Sequence, residues 1–154
     1  MMAEWTNVAR QIVNPGEAIV FTDNPVPCLK GLIKHRNDSG AFNLNGRSYD
    51  FCGTPSCPCC RLYNDSVQYM VDFGANIAIP EGETVGPISV AFEVGNSTLQ
   101  GTTMIVTPAA VEEFWNVSRA SNVPVFKNCC QDFAIRNTSA VPIAVTNANV
   151  IFSR

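Results

Sequence analysis

The sequence predicts an all-β protein built as an antiparallel sandwich or barrel. Apolar side chains alternate with polar ones along several segments, as they do in strands that turn one face to a core. Residues that favour turns separate these segments at short, regular intervals. Roughly eight to ten short strands with such punctuation are typical of sandwiches and barrels.

The alternation is longest in SVQYMVDFGANIAI, at residues 66–79. Every odd position from Val67 to Ile79 is apolar, whereas the even positions are mostly polar, with Met70 and Ala78 as exceptions. A strand whose successive side chains point to opposite faces would bury the odd set and expose the even set. We therefore expect one long strand here with one face in the core.

Shorter segments along the chain have the same character and are rich in Val, Ile, Phe and Thr, which favour strands. In chain order, the strand candidates are 8–13, 17–22, 31–36, 41–45, 66–79, 88–94, 102–107, 132–137 and 142–152. The turns between them are predicted at 14–17, 37–40, 80–83, 94–97 and 137–142. The candidates at the two ends of the sequence are expected to lie close together.

One segment has two interpretations. In TPAAVEEFWNV, at 107–117, Thr107 can cap a helix and Pro108 can take its first position. The alternative is a strand that begins near Phe114. The sequence does not choose between a single helical turn and this strand.

Composition limits the classes of protein. A chain of 154 residues predicts one domain, spanning 1–154. Charged residues make up only 15% of the chain, below the usual quarter, which favours packing against other copies or other proteins. The net charge is −3 and no basic tract is present, so we expect no nucleic-acid partner.

The start of the sequence lacks the apolar run of a signal peptide, and no stretch approaches the length of a membrane span. We therefore expect synthesis in a cytoplasm without a signal peptide, and no membrane partner.

The seven cysteines are the most unusual feature. They are Cys28, Cys52, Cys57, Cys59, Cys60, Cys129 and Cys130. Four of them lie in FCGTPSCPCCRLYND, at about 51–65, which we interpret as a Cys-rich loop inserted between two core strands. Seven is an odd number, so at least one thiol stays free or pairs with another chain.

Three roles compete for the cysteines. The favoured one is stapling by disulfides within or between chains. Free buried thiols that act as small hydrophobic side chains are a separate alternative. A metal site is less favoured, because C-x-C-C does not match the paired knuckles of zinc sites, and the single histidine, His35, falls in a strand candidate. Redox catalysis is the weakest, because no C-x-x-C motif precedes a helix. We expect no metal and no cofactor.

No catalytic constellation stands out, so we expect a protein that is not an enzyme. Glu112 and Glu113 are adjacent in the sequence, whereas paired catalytic carboxylates face each other across a cleft. The aromatic residues Trp5, Phe114, Trp115 and Phe126 belong either to the core or to a subunit interface, where aromatic residues are enriched. The low charge of the chain favours the interface for some of them.

The order of the segments resembles a known family. QIVNPGEAIVFTD, IKHRNDSGAFNLNG, the block from YMVDFGANIAIPEGE to VAFEVG, TTMIVTPAAVEEFWNVS and CCQDFAIRNTSAVPIAVTNANVIFSR together resemble small jelly-roll proteins of the tumour-necrosis-factor/complement-like type. More narrowly, they resemble short proteins encoded by Firmicutes and their phages. The Cys-rich loop departs from the plain jelly-roll pattern.

This resemblance implies a single-domain antiparallel jelly-roll β-sandwich that forms a homotrimer. It implies a structural virion component, such as a head decoration, fibre or collar protein, located on the virion surface with other virion or surface structural proteins as partners. The first alternative is a spore-surface or appendage subunit cross-linked by disulfides. The second is a module that binds a glycan or a host surface.

Overall fold

In the computed structural model, two antiparallel sheets pack face to face as a jelly-roll β-sandwich. The structure describes residues 2–28, 31–36, 38–46, 66–126 and 129–154. The Cys-rich loop predicted at about 51–65 lies outside these residues. Within them, no helix reaches the length and apolar character that a membrane crossing needs.

The described residues form twelve strands and one short 3-10 turn. The strands are β1 (Met2–Asn7), β2 (Gln11–Val13), β3 (Asp23–Val26), β4 (Ile33–His35), β5 (Phe42–Asn45), β6 (Ser66–Ala78), β7 (Ile88–Val94), β8 (Ser97–Thr98), β9 (Met104–Val106), β10 (Trp115–Phe126), β11 (Cys130–Asn137) and β12 (Ile143–Ser153). The 3-10 turn is Gln100–Thr102.

The first sheet has the order β10-β6-β12-β1-β3, with β2 paired to β12. The second sheet has the order β4-β5-β11-β7-β8, with β9 paired to β7. Every pairing between these strands is antiparallel. The prediction that the two ends of the sequence meet is confirmed, because β1 and β2 both pair with β12.

The period-two segments form strands as predicted, and their apolar sides make the core. On β6, the odd positions from Tyr69 to Ile77 are buried and the even positions from Gln68 to Asn76 are exposed or half-buried. The strand β12 differs because a bulge between Thr146 and Asn149 shifts its register against β6. Its inward positions are therefore odd before the bulge and even after it.

Phe42 lies at the centre of an aromatic cluster that joins the two sheets. Its ring, on β5 of the second sheet, lies 5.2 Å from Trp5 on β1 and 5.0 Å from Phe152 on β12, both in the first sheet. The rings of Phe21 and Phe133 lie 5.5 and 6.4 Å away. These aromatic side chains interdigitate between the layers and fix how one sheet sits on the other.

The segment 17–22 was predicted as a strand, and this prediction is wrong. The segment forms isolated bridges and no regular strand. The segment crosses from one sheet to the other. The N–H of Ile19 donates to the carbonyl of Ile135 in the second sheet, and three residues later the N–H of Thr22 donates to Thr6 in the first. Since its hydrogen-bond partners change every few residues, no continuous ladder forms.

For the segment 107–117, the second interpretation, a strand that begins near Phe114, is confirmed. The strand β10 begins at Trp115, and turns and bends precede it. The strands β1, β3 and β8 were not predicted. The predicted turn at 80–83 contains Gly82 at φ +88° and the one at 94–97 contains Gly95 at φ +62°, a backbone region that favours glycine.

Removing the ring of Phe42 should destabilise the fold strongly. Phe42→Ala leaves a cavity among five aromatic neighbours, and we expect the free energy of unfolding to fall by about 3–5 kcal/mol. Chemical denaturation at a fixed protein concentration measures this change. Ile105→Ala, at an exposed position of β9, is the control and should change the free energy by less than about 1 kcal/mol. Equal losses in the two variants would contradict the central role of Phe42.

Candidate functional site

Four strands of the first sheet, β1, β12, β6 and β10, share an outer face that is poor in charge. Its side chains alternate with the buried ones and lie opposite each other across four strands. They are Met2, Glu4 and Thr6 on β1; Thr146, Asn149, Ile151 and Ser153 on β12; Ser66, Gln68, Met70, Asp72, Gly74 and Asn76 on β6; and Asn116, Ser118, Ala120, Asn122, Pro124 and Phe126 on β10. Among these positions, Glu4 and Asp72 are the charged ones, and none is Lys or Arg.

We call this surface the first-sheet face. Its apolar members gather toward one end. Phe126 lies opposite Ser66, Pro124 opposite Gln68, and Met70 lies between Asn122 and Ser153. Phe126 is 68% exposed and Met70 is 39% exposed. A face with few charges and exposed large apolar side chains costs little to desolvate when another protein surface covers it.

Two further aromatic residues are exposed at the opposite end of β10. Phe114 is 39% exposed and Trp115 is 47% exposed, and the Trp115 indole N–H donates to Glu113 at 2.8 Å. Since β10 forms an edge of the first sheet, the aromatic residues at its two ends lie along one side of the sandwich. Three of the four predicted interface residues therefore lie on exposed surface near this edge.

Trp5, the fourth predicted interface residue, is only 3% exposed. Its ring packs against Phe42 and Phe152 inside the sandwich. The interface interpretation of Trp5 is therefore wrong, because the core of its own chain accounts for its burial.

The described cysteines lie in two environments. Cys28 is half-buried and packs against the core, whereas Cys129 and Cys130 are exposed. All three are free thiols. The other predicted cross-link residues, Cys52, Cys57, Cys59 and Cys60, lie outside the described residues.

The backbone of Cys129 is held against Gly46 and Phe126 by hydrogen bonds. The Cys129 N–H donates to the carbonyl of Phe126 at 3.2 Å, and the Gly46 N–H donates to the carbonyl of Cys129 at 2.8 Å. A Cβ on Gly46 would overlap the Phe126 carbonyl oxygen, so glycine permits this close approach. In the β5–β11 pairing, Cys130 lies opposite Asn45. The two exposed thiols therefore have a fixed backbone.

His35 is packed and not placed as a metal ligand. Its ring stacks on Phe42 with centroids 4.3 Å apart, and its Nε2 lies 2.9 Å from the carbonyl oxygen of Ser39, to which a neutral ring can donate. Burial lowers the pKa of His35, and this outweighs the opposing effects of the Ser39 hydrogen bond and the Asp38 charge. Within the described ranges, no three His, Cys, Asp or Glu side chains come together as metal ligands.

The acidic pair Glu112 and Glu113 has local partners. Glu112 forms an ion pair with Arg10 at 2.6 Å and accepts the N–H of Glu81 at 3.3 Å, whereas Glu113 accepts the indole N–H of Trp115. The two side chains therefore serve different contacts and do not face each other as a pair of carboxylates.

Comparison with known proteins identifies the fold. No protein-family model matches the sequence, and no curated protein matches it. Two of the similar solved structures match over nearly the whole chain. The globular domain of zebrafish complement 1qA protein is 10% identical with a TM-score of 0.60, and the match covers 98% of this chain and 92% of that one.

The second structure, Eiger TNF from S. frugiperda, is 10% identical with a TM-score of 0.64, and the match covers 100% of this chain and 92% of that one. At this identity the similarity shows the fold alone. The predicted tumour-necrosis-factor/complement-like jelly-roll fold is confirmed. A third structure, the PRD1 vertex protein P5, has a TM-score of 0.44, too low to carry weight.

The single histidine gives a direct test of its environment. We expect an NMR titration of His35 to give a pKa below the ordinary value of 6.5, because burial disfavours the charged ring. At a pH between the lowered pKa of the folded chain and the ordinary pKa of the unfolded chain, the unfolded chain binds the proton more readily than the folded chain. The free energy of unfolding should therefore fall as the pH is lowered from about 7.5 to 5.5.

His35→Gln removes this titration and should flatten that part of the pH dependence. A pKa of His35 above 6.5 would contradict the dominance of burial and would show that the Ser39 hydrogen bond and the Asp38 charge together outweigh it.

Proposed function

We propose that the protein is a structural, non-enzymatic component of a virus particle that assembles as a homotrimer. The observation that supports this proposal best is the first-sheet face, which bears two carboxylates and no cation beside the exposed side chains of Met70 and Phe126. A surface of this kind packs against protein more readily than a charged one. The resemblance of the sequence to short phage proteins supports the virion as its location.

The arrangement of the exposed aromatic residues favours a closed ring over a dimer. Phe114 and Trp115 lie at the edge strand β10, whereas the first-sheet face spans four strands. When the edge of one copy packs on the face of the next, the contact joins two different surfaces. Such contacts close into a ring when the rotation permits, and a homotrimer is a small ring of this type.

In this assembly each sandwich is a rigid block, and its role is to hold neighbouring structural proteins in place. Head decoration proteins, fibre proteins and collar proteins all need a rigid subunit of this kind. Mass spectrometry of purified virus particles, produced by cells that encode the chain, tests the location. We expect the protein in the particle fraction, and its restriction to the soluble lysate would contradict the proposal.

The exposed pair Cys129 and Cys130 favours a second candidate function, a spore-surface or appendage subunit cross-linked by disulfides. Both thiols are accessible, and adjacent residues in an extended chain point in different directions. One thiol can then face its own chain while the other faces a neighbouring copy. A disulfide network between copies would extend the assembly beyond a trimer.

Self-association should depend on the exposed aromatic residues. We expect the wild-type protein to sediment at three times the chain mass of 16.7 kDa. The double variant Trp115→Ser with Phe126→Ser should shift this equilibrium toward monomer by at least about tenfold, because it removes two large apolar contacts. Sedimentation velocity at several protein concentrations measures the shift.

Ile105→Ser is the matched control, because Ile105 is at least as exposed as Trp115 and close to Phe126 in exposure, but lies on β9 of the second sheet. It should leave the trimer intact. Asp72→Asn should strengthen the association, since it removes a carboxylate that would be desolvated without a cation. A wild-type protein that is monomeric at every concentration would contradict the trimer.

The cross-linked appendage makes a different prediction. Under oxidising conditions, non-reducing gels should show ladders of covalent oligomers that a thiol reductant removes. Cys129→Ser with Cys130→Ser should abolish the ladder, whereas Cys28→Ser should retain it, because Cys28 is half-buried against the core. Trimers without covalent links in the wild-type protein would favour the virion component over the appendage.

A further inference from the structure

An open cleft of about 500 Å³ lies on the outer side of the second sheet. One wall is the β7–β8 hairpin with Asn96 and Thr98, and the other is the turn after β11 with Thr138 and Ser139. Glu93 and Arg136 lie between the walls. The volume falls in the range of sites that bind small molecules.

The Glu93–Arg136 ion pair crosses the sheet on a diagonal. In the register of β11 with β7, Arg136 lies opposite Ala91 and Glu93 lies opposite Ala134. The two small alanines occupy the other corners and leave room for the long side chains. The Arg136 Nε lies 2.8 Å from Glu93 Oε1, so the charges at this site cancel.

The walls of the cleft are fixed before any ligand binds. Asn137 is buried, and its amide donates to the carbonyls of Val13 and Val141, both at 2.9 Å. The Ser139 hydroxyl accepts the N–H of Ser89 at 2.7 Å, which ties this turn to β7. On the other side, the Gly95 N–H donates to Asp132 at 2.8 Å and holds the hairpin against β11. Ligand binding would therefore lose little conformational entropy in ordering these walls.

Several polar groups in the cleft keep hydrogen-bonding capacity. Arg136 uses Nε for Glu93 and Nη1 for the carbonyl of Gly16, at 2.9 Å, which leaves Nη2 without a partner among the described residues. Glu93 contacts Arg136 through Oε1, so its Oε2 can accept a hydrogen bond from a ligand. Within the same part of the chain, the side chains of Asn96 and Thr98 form no hydrogen bond. Donors and acceptors are therefore mixed over one small area.

This mixture selects a class of ligand. An anion would meet an arginine that Glu93 already neutralises, and a cation would meet a carboxylate paired with Arg136. An apolar ligand would find polar groups around it. A hydroxyl both donates and accepts, so a neutral compound with several neighbouring hydroxyls matches the site.

We propose that this cleft is a binding site for a neutral sugar residue of a surface glycan. It lies on the sheet opposite the first-sheet face, so the proposed self-association leaves it open, and sugar binding does not depend on the trimer. A shallow polar site should bind one sugar weakly, with a Kd on the order of 1 mM, and several copies in one assembly would raise the avidity.

The test uses the full chain on an array of neutral, sialylated and sulfated glycans, followed by titration of the isotope-labelled protein with methyl glycosides of glucose, galactose, mannose and N-acetylglucosamine. We expect binding to neutral glycans and chemical-shift changes at Glu93, Thr98 and Arg136. Thr98→Val keeps the shape of the side chain and removes its hydroxyl, and it should weaken binding about three- to tenfold.

Thr107→Val is the matched control, because Thr107 is exposed outside the cleft, and it should leave binding unchanged. Both variants should keep the oligomeric state of the wild-type protein, which separates this result from the self-association test. The proposal would be overturned if no glycan or glycoside of the panel binds. It would also be overturned if Thr98→Val and Glu93→Gln both leave binding unchanged. A preference for sialylated or sulfated glycans would also overturn it and would assign an anion site instead.

Discussion

The packing of aromatic side chains between the two sheets sets the relative position of the layers. Phe42 of the second sheet contacts Trp5 and Phe152 of the first, and these edge-to-face and tilted contacts fix the separation and rotation of the layers. Once the inner faces are committed to this core, the pleat of each strand determines which side chains face outward. The two outer surfaces, and the functions proposed for them, follow from that one layer of packing.

The two outer surfaces have opposite chemistry. The first-sheet face has few charges and exposed apolar side chains such as Phe126 and Met70, so covering it with protein costs little desolvation. The second sheet bears the neutralised pair of Glu93 and Arg136 in a preorganised polar cleft. A subunit that joins its own copies through one sheet and presents a sugar site on the other would combine assembly with recognition, and the jelly roll keeps the two apart by the thickness of its core.

Much of the fold was predictable from sequence because strands with one buried face alternate apolar and polar side chains at most positions, as β6 and β7 do. In β10 and β12, tertiary contacts and not local sequence determine which side chains are buried. The strand β10 carries Arg119 and Ser121 at inward positions, which hides its period, and the bulge near Asn147 shifts the inward positions of β12. The exposed aromatic residues were candidates from the sequence, but only packing separates them from the buried Trp5. The cleft was not predictable at all, because the register of β11 with β7 brings together residues more than 40 positions apart in sequence.

We propose that copies of this chain meet at the first-sheet face. A high-resolution cryo-EM map of the native assembly tests it most directly. We expect three copies around an axis, with β6, β10 and β12 of each copy turned toward its neighbours and the polar cleft turned to solvent. A map in which the first-sheet face is bare and the second sheet forms the contact would contradict it.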